Sequence, residues 1–304
     1  MLTPGIGITC KPSALSVEGK YQVACDISTG IYCSSDYGQT FSLKLSIANK
    51  NWSGVGISAT GQYQVAVTNN TMTYLYLSTD YGNTWNTTTL LIQSLSVCIN
   101  ATGQYITTGI SGYIKRSINY GSSFSSVTQA GISAGFSCSS SGQYQVVVMQ
   151  PGYIFISTNY GLTWSQKGNS RSYTGVSMNS NGTYIIAAVS SNYLQFSSDS
   201  GQNWSGKVGS KSWQSVSISS SGQYVFAVVY SGSIWKSEDY GQTWSEIVIT
   251  KKWMSVTVSA TGKYVTAVAD SSQIYASSNY GQTFSQINSS RAWSAVAINR
   301  FSDV

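Results

Sequence analysis

The eight residues Ser237-Glu-Asp239-Tyr-Gly241-Gln-Thr243-Trp244 recur, with small changes, seven times in this chain of 304 residues. The glycines of successive copies lie 44, 39, 40, 40, 40 and 40 residues apart. A fixed period near 40 residues, with several short strands in each unit, is typical of radial or stacked repeat proteins. Seven such units account for nearly all of the chain, so the sequence predicts one domain spanning residues 1–304.

The unit around Asp239 predicts four strands. Residues 215–219 alternate apolar and polar side chains, and residues 224–229 form a continuous apolar run after a turn. Residues 234–237 and 244–248 flank the repeated phrase and make the third and fourth strands. Four short antiparallel strands in each of seven units predict an all-β, seven-bladed β-propeller.

The repeated phrase predicts a tight turn between the third and fourth strands. A side-chain oxygen of Asp can accept hydrogen bonds from backbone amides further along the turn, and Gly permits a positive φ. Three copies carry Asn in place of Asp, so the turn needs an acceptor and not a charge. We therefore expect a structural role, and no catalytic one, for Asp36, Asp80, Asn119, Asn159, Asp199, Asp239 and Asn279.

The phrase Ser-x-Asp-x-Gly-x-Thr-Trp resembles the Asp-box, or bacterial neuraminidase repeat (BNR), and the resemblance extends over essentially the whole chain. It implies that each box lies in the turn between strands three and four, on the face opposite the ligand site. Asp-box propellers include sialidases, other glycosidases, lectins, sorting receptors and assembly factors. The resemblance therefore predicts the fold and leaves the function open.

A first-strand pattern recurs after the seventh box, in Trp293-Ser-Ala-Val-Ala-Ile-Asn299. The corresponding N-terminal stretch, Ser13-Ala-Leu-Ser16, is a poor strand beside Pro12. We expect the C-terminal strand to complete the sheet of the first blade and close the ring, which removes an open edge. The alternative is that this strand pairs with another copy of the chain.

Five junctions between blades carry a basic residue two positions before an aromatic one. In a propeller these junctions lie on the face opposite the boxes, which we call the junction face. The predicted stacking platforms for sugar rings are Trp52, Tyr173, Trp213, Trp253 and Trp293, and the predicted anion contacts are Lys50, Arg171, Lys211, Lys251 and Arg291. The alternative is that each ring wedges between blades while the cation lies over it.

The composition excludes several functions. The chain has no histidine, so no imidazole can act as a general base or bind a metal, and no cofactor is expected. Charged residues are 9% of the chain and the formal net charge is +6. This is little positive charge for a surface that binds nucleic acid, so such binding is not expected. No apolar run is long enough to span a bilayer, and residues 1–5 show no secretory signal. The surface must consist largely of Ser, Thr, Asn, Gln and Tyr, which favours an extracellular or particle-surface location.

Two further residue pairs are candidates for a disulfide and for a catalytic site. Cys25 and Cys33 flank a predicted hairpin, where they could lie opposite each other as two free buried thiols or as a disulfide. Asp26 and Asp270 lie in turns of the first and seventh blades and are the one candidate carboxylate pair for a glycosidase. The Arg-Ile-Pro motif of sialidases has no counterpart here, so that activity is not transferred.

The sequence thus predicts a non-enzymatic recognition module that binds glycans, anionic ones included, through the junction face. The alternative is a structural or assembly protein that uses the same face for a protein partner, and a glycosidase is a minor alternative. Exposure of the junction aromatics distinguishes the first two. Lectin sites leave such rings open to solvent, whereas a scaffold buries them between blades.

Overall fold

The computed structural model describes residues 10–70, 73–110, 112–129, 133–270 and 272–291. These residues form seven sheets, each of four antiparallel strands that are adjacent in chain order. Each sheet corresponds to one 40-residue unit, so the predicted seven-bladed β-propeller is confirmed. Within the described ranges there is no apolar helix of the length that a membrane crossing requires.

The strands follow the repeat. Blades 1 to 4 contain β1 (Cys10–Leu15), β2 (Gln22–Asp26), β3 (Gly30–Ser34), β4 (Ser42–Ser46); β5 (Trp52–Ile57), β6 (Gln64–Thr68), β7 (Thr73–Ser78), β8 (Asn86–Ile92); β9 (Val97–Ile99), β10 (Ile106–Ile110), β11 (Tyr113–Ser117), β12 (Ser125–Gln129); and β13 (Ser133–Cys138), β14 (Gln145–Met149), β15 (Gly152–Ser157), β16 (Ser165–Arg171). Blades 5 to 7 contain β17 (Tyr173–Met178), β18 (Ile185–Val189), β19 (Asn192–Ser197), β20 (Ser205–Lys211); β21 (Trp213–Ile218), β22 (Val225–Val229), β23 (Gly232–Ser237), β24 (Ser245–Lys251); and β25 (Trp253–Val258), β26 (Val265–Ala269), β27 (Ser272–Ser277), β28 (Ser285–Arg291).

The hydrophobic core lies between neighbouring blades. Second strands such as β22 are buried along their whole length, which explains their continuous apolar sequences. Fourth strands such as β16 are mostly exposed, and their sequences are correspondingly polar. Leu194 and Phe196 of blade 5 pack in one cluster with Trp213 and Val225 of blade 6. Each blade therefore buries its apolar faces against its neighbours.

A chain of backbone hydrogen bonds links the blades near the centre. The donor in each blade is the N–H of the residue two positions after the end of the first strand, and the acceptor is the carbonyl of the equivalent residue in the next blade. Six such bonds, of 2.8–3.1 Å, run Val17→Ala59, Ala59→Ala101, Ala101→Ser140, Ser140→Ser180, Ser180→Ser220 and Ser220→Ala260. They connect blade 1 to blade 7 in sequence order and fix the inner ends of the sheets.

The first strand of blade 1 differs from the prediction. The innermost position of its sheet is taken by β1, in which Ser13 pairs with Ala24 and Leu15 with Gln22. The expectation that this N-terminal stretch is too poor a strand was therefore wrong. The register shifts between Cys10 and Ser13, and this irregularity accommodates Pro12, which has no N–H for the ladder. The predicted closing strand, Trp293–Asn299, lies outside the described residues.

Pairs of tyrosines lock the box ends of neighbouring blades together. Because adjacent strands are antiparallel, the turns between strands one and two lie at the same end as the box turns. A tyrosine from this first turn packs against the box tyrosine of the next blade, with ring centroids 4.6–5.1 Å apart. The pairs are Tyr21–Tyr81, Tyr63–Tyr120, Tyr105–Tyr160, Tyr184–Tyr240 and Tyr224–Tyr280. These contacts make the box face part of the scaffold.

Candidate functional site

The box turns are held by their own hydrogen bonds. In the sixth copy, Ser237 Oγ donates to Asp239 Oδ1 at 2.8 Å, and the Thr243 N–H donates to the same oxygen at 2.9 Å. In the fourth copy, Asn159 Oδ1 accepts the Thr163 N–H at 2.9 Å, while its Nδ2 donates to Thr163 Oγ1 at 2.8 Å. The turn therefore keeps its acceptor in both forms.

The hydrogen bonds of the box also stabilise its charged carboxylates. Donation by the Ser34 hydroxyl and by the side chain and backbone of Thr40 lowers the pKa of Asp36 to about 2. At Asp80, Asp199 and Asp239 partial burial raises the pKa, but the box hydrogen bonds outweigh it and each pKa is lowered. Folding thus favours the ionised form of all four groups.

We expect the protein to lose stability as the pH falls from about 4 to about 2. A carboxylate whose pKa is lowered by folding contributes stability that is fully present above its unfolded pKa and is lost as the pH falls through the folded pKa. Thermal unfolding followed by circular dichroism between pH 7 and pH 2 measures this. A variant with Asn at positions 36, 80, 199 and 239 is the control, since three boxes already carry Asn. An equally steep loss in that variant would contradict the assignment.

One carboxylate of the candidate glycosidase pair is engaged in its own turn. Asp26 is buried, and its Oδ1 accepts hydrogen bonds from the backbone of Ser28 and Thr29 and from the Thr29 hydroxyl, at 2.7–3.0 Å. These bonds hold the turn between β2 and β3. Asp270 is exposed, and its N–H donates to the carbonyl of Lys252. The geometry accounts for Asp26 as a turn residue.

The predicted stacking platforms are buried between blades. The exposed fraction is 1% for Trp52, 0% for Tyr173, 1% for Trp213 and 0% for Trp253, while Trp293 lies outside the described residues. Each ring begins the first strand of its blade and turns into the core that this blade shares with the preceding one. The open ring face that sugar stacking needs is therefore lacking at these four positions.

Third-strand aromatics pack edge-on against these buried rings. The centroids of Trp52 and Tyr76 are 5.2 Å apart, and those of Trp253 and Tyr275 are 5.1 Å apart. The polar atoms are used as well, since Trp52 Nε1 donates to the Asp26 carbonyl and Trp253 Nε1 to the Ile249 carbonyl, both at 3.1 Å. The ring contacts lie within one blade, whereas the two indole hydrogen bonds join each blade to the preceding one.

The basic residues lie near aromatic rings, although at a different place from that predicted. Lys211 Nζ lies 4.9 Å from the centroid of Trp235, and Lys251 Nζ lies 5.9 Å from that of Tyr275. Both rings belong to the third strand of the following blade, so the cation lies over the blade junction. Lys50 and Arg171 are half-buried, and the side chain of Arg291 lies outside the described part of the chain.

Blade 6 carries two indole nitrogens without an acceptor. Trp213 Nε1 and Trp235 Nε1 are covered from solvent and have no hydrogen-bond partner within the described residues. The two rings are perpendicular, with centroids 6.1 Å apart, and Lys211 lies over the second. Buried donors are usually paired, so this junction differs from those at Trp52 and Trp253.

A row of exposed tyrosines on the junction face was not among the site residues predicted from the sequence. They lie at the start of the third strand in blades 2 to 5, each four residues before the serine of its box, and that constant offset is the signal that could have found them. We call them the tyrosine arc: Tyr74 (43% exposed), Tyr113 (46%), Tyr153 (38%) and Tyr193 (50%). Tyr230, 43% exposed, continues the row in the corresponding turn of blade 6.

Two basic residues lie on the fourth strands that pair with the arc strands of blades 4 and 5. Arg171 pairs with Gly152, the neighbour of Tyr153, and Lys211 pairs with Asn192, the neighbour of Tyr193. Two of the predicted basic residues therefore lie, by backbone pairing, opposite the positions next to Tyr153 and Tyr193. No metal-binding group of three or more Cys, Asp or Glu side chains assembles among the described residues.

The fold and the boxes together define an Asp-box β-propeller. The family model described as BNR-Asp box repeat matches residues 234–247, which run from within the third strand of blade 6 through the box into the fourth strand. No curated protein is significantly similar in sequence. The individual proteins to which this chain is similar are therefore solved structures of similar fold.

Three solved structures illustrate the range of similar folds. YCF48 bound to D1 peptide is 15% identical with a TM-score of 0.65, covering 88% of this chain and 91% of that one. The Cps50 (Swd1) β-propeller domain of Myceliophteria thermophila is 10% identical with a TM-score of 0.65, covering 87% and 94%. The GH74 xyloglucanase of Xanthomonas campestris is 12% identical with a TM-score of 0.70, covering 92% and 53%. This chain thus spans about half of that enzyme, and the likeness to all three is one of fold.

Proposed function

We propose that this protein is a non-enzymatic interaction module that holds a segment of a partner protein on its junction face. The observation that carries the proposal is the tyrosine arc, a row of exposed rings on strands that pair, in blades 4 and 5, with the strands ending in Arg171 and Lys211. Tyrosine and arginine are enriched among residues that dominate binding energy at protein interfaces. Tyrosine supplies a large contact area at a small cost in conformational entropy.

The groups at the junction between blades 5 and 6 favour an acidic side chain in the bound segment. Lys211 is the cation at this junction, and the indole N–H groups of Trp213 and Trp235 have no acceptor among the described residues. A carboxylate that draws Lys211 from the ring would receive a charge-assisted hydrogen bond. Once Lys211 had moved off the ring, an oxygen atom of the partner could reach the Trp235 N–H and accept a hydrogen bond from it.

Two further observations favour a protein partner over enzymatic function. The single propellers similar to this chain over nearly their whole length include YCF48 bound to a peptide. The glycosidases of similar fold are much longer chains, and the Asp26 carboxylate here is engaged in its own turn. These points support binding without catalysis.

Glycan binding is the second candidate function, and the arc is also what favours it. Exposed tyrosines can stack on the C–H faces of sugars, and equivalent sites on successive blades would bind a clustered glycan with avidity. The predicted platforms at Trp52, Tyr173, Trp213 and Trp253 do not contribute, because their rings are buried. Both candidates therefore depend on the same surface.

The test exposes the full chain to two probes, a phage library of random dodecapeptides and a glycan array. We expect selected acidic, aromatic-containing peptides to bind, and a Tyr153→Ser/Tyr193→Ser variant to bind them at least about tenfold more weakly. The matched control is Tyr37→Ser on the box face. Ser200 already occupies the equivalent position of the fifth box, so this control should fold and bind normally.

Each alternative outcome has a definite meaning. Glycan binding that is lost in the arc variant, without peptide selection, would move the function to carbohydrate recognition. Peptides that bind the arc variant as tightly as the wild type would contradict the proposed site. A folded protein that selects neither probe would overturn both candidates for this face.

A further inference from the structure

The first strands surround a central cavity of about 290 Å³ that the proposed function does not use. Its wall includes Cys98 of β9 and Cys138 of β13, two cysteines from neighbouring blades. Both are free thiols, with Cys98 buried and Cys138 partly exposed. They also pack against the same hydrophobic cluster, together with Phe136 and Met149.

The repeat explains why these two residues meet. At the next three junctions a hydroxyl in the first strand of one blade accepts the backbone N–H of the following blade. The bonds are Met178 N to Ser137 Oγ at 3.1 Å, Ile218 N to Ser177 Oγ at 3.3 Å and Val258 N to Ser217 Oγ at 3.1 Å. Counted back from the glycine of the following turn, Cys98 occupies the serine position and Cys138 the position of Met178. The junction of blades 3 and 4 therefore places one thiol against the other.

We propose that Cys98 and Cys138 form a reversible disulfide across the junction of blades 3 and 4 when a small peroxide enters the central cavity. The neighbouring Cys138 thiol, together with burial, raises the pKa of Cys98. Cys98 is thus held as a thiol, and Cys138, the more exposed of the pair, is the one that meets the oxidant first.

The chemistry balances with hydrogen peroxide as the oxidant. The Cys138 thiol gives up its proton as its sulfur attacks one peroxide oxygen, the O–O bond breaks, and Cys138 becomes a sulfenic acid while the departing hydroxide takes that proton to form the first water. The Cys98 sulfur then attacks the Cys138 sulfur, the S–O bond breaks, and the departing hydroxide takes the Cys98 proton to form water. In total two thiols lose two electrons and two protons, and one peroxide is reduced to two waters.

The other described cysteines provide an internal comparison. In the hairpin of β2 and β3, Cys25 pairs with Ile31 and Cys33 pairs with Val23, so these two residues are not directly opposite. Both are buried, and burial raises the pKa of Cys33 to about 11. Neither lines the central cavity. We expect this pair to remain reduced under the same treatment.

The experiment treats the folded full chain with hydrogen peroxide, blocks the remaining thiols and maps disulfides by non-reducing peptide mass spectrometry. We expect a Cys98–Cys138 cross-link that a thiol reductant reverses. Because the bond closes a loop of 40 residues between two blades, the oxidised protein should melt about 5 °C higher than the reduced one.

Variants that copy the residues of other blades keep the test informative. Cys98→Ser and Cys138→Val introduce residues that blades 4 and 7 already carry at these positions, so both should fold. Neither should form the cross-link or show the rise in melting temperature. Oxidation of Cys138 to sulfinic acid without a cross-link would overturn the proposal. A disulfide that joins Cys25 to Cys33, or one chain to another, in place of this one would overturn it as well.

Discussion

Replacing Trp253 by alanine is expected to lower the free energy of unfolding by about 3–5 kcal/mol. The indole is fully buried, packs with Phe226 and Ile234 of blade 6, and stands edge-on to Tyr275. Its N–H donates to the Ile249 carbonyl, which would lose its partner. Urea unfolding followed by circular dichroism measures the change, with Trp253→Phe as a conservative variant that should retain much of the stability.

The matched control is an exposed ring of the same face. Tyr193→Ala removes a side chain that is 50% exposed, so we expect a change within about 0.5 kcal/mol. If Trp253→Ala were as stable as Tyr193→Ala, the indole would not be part of the interblade core. It would then be available to a ligand after all.

This result also decides how binding experiments are interpreted. A variant that lacks Trp213 or Trp253 loses part of its core, so loss of glycan binding by that variant would not place a site. Variants of Tyr153 and Tyr193 avoid this difficulty because their rings lie at the surface. The arc is therefore the place to test recognition.

The blade count, the four strands and the box turns could be predicted because the repeat carries them directly. Each box needs a side-chain acceptor followed by Gly, and this requirement recurs at the same spacing in every unit. These hydrogen bonds all join residues within one eight-residue copy, so the turn can be predicted from the local sequence alone.

The roles of the junction aromatics could not be read in the same way. A repeat copies a packing residue as faithfully as a binding residue, and Trp213 is buried by Leu194 and Phe196 of the preceding blade. That burial depends on how two sheets are placed, which no local pattern records. The tyrosine arc was missed for the opposite reason, because Tyr74, Tyr113, Tyr153 and Tyr193 look like ordinary strand residues in the sequence.

The Cys25–Cys33 hairpin shows that the pairing register of two strands cannot be predicted from the positions of the cysteines in the sequence. The two cysteines flank a predicted turn and could have lain directly opposite each other. The ladder instead ends with Asp26 paired to Gly30, which sets Cys25 against Ile31. The carboxylate of Asp26 determines this, because it accepts the N–H groups of Ser28 and Thr29 and so fixes a three-residue turn.

Replacing Gly262 by alanine is expected to destabilise the protein by about 2–5 kcal/mol, although the change adds only one methyl group. Gly262 has a φ of +91°, a conformation that side chains other than glycine's rarely adopt. A Cβ there would lie 2.2 Å from Cδ2 and 2.4 Å from Cγ of Tyr224. That ring is held in place, since it packs on Tyr280 of the next blade with centroids 4.9 Å apart.

The same substitution at Gly175 separates this packing from the general effect of a methyl group. An added Cβ at Gly175 would meet no heavy atom within 4 Å, and its φ lies outside the left-handed region. Gly175→Ala should therefore be neutral or slightly stabilising, because alanine restricts the unfolded chain. Urea midpoints of the two variants give the comparison. Equal midpoints would mean that Tyr224 moves aside at little cost, and that the tyrosine pairs of the box face do not hold the blades together.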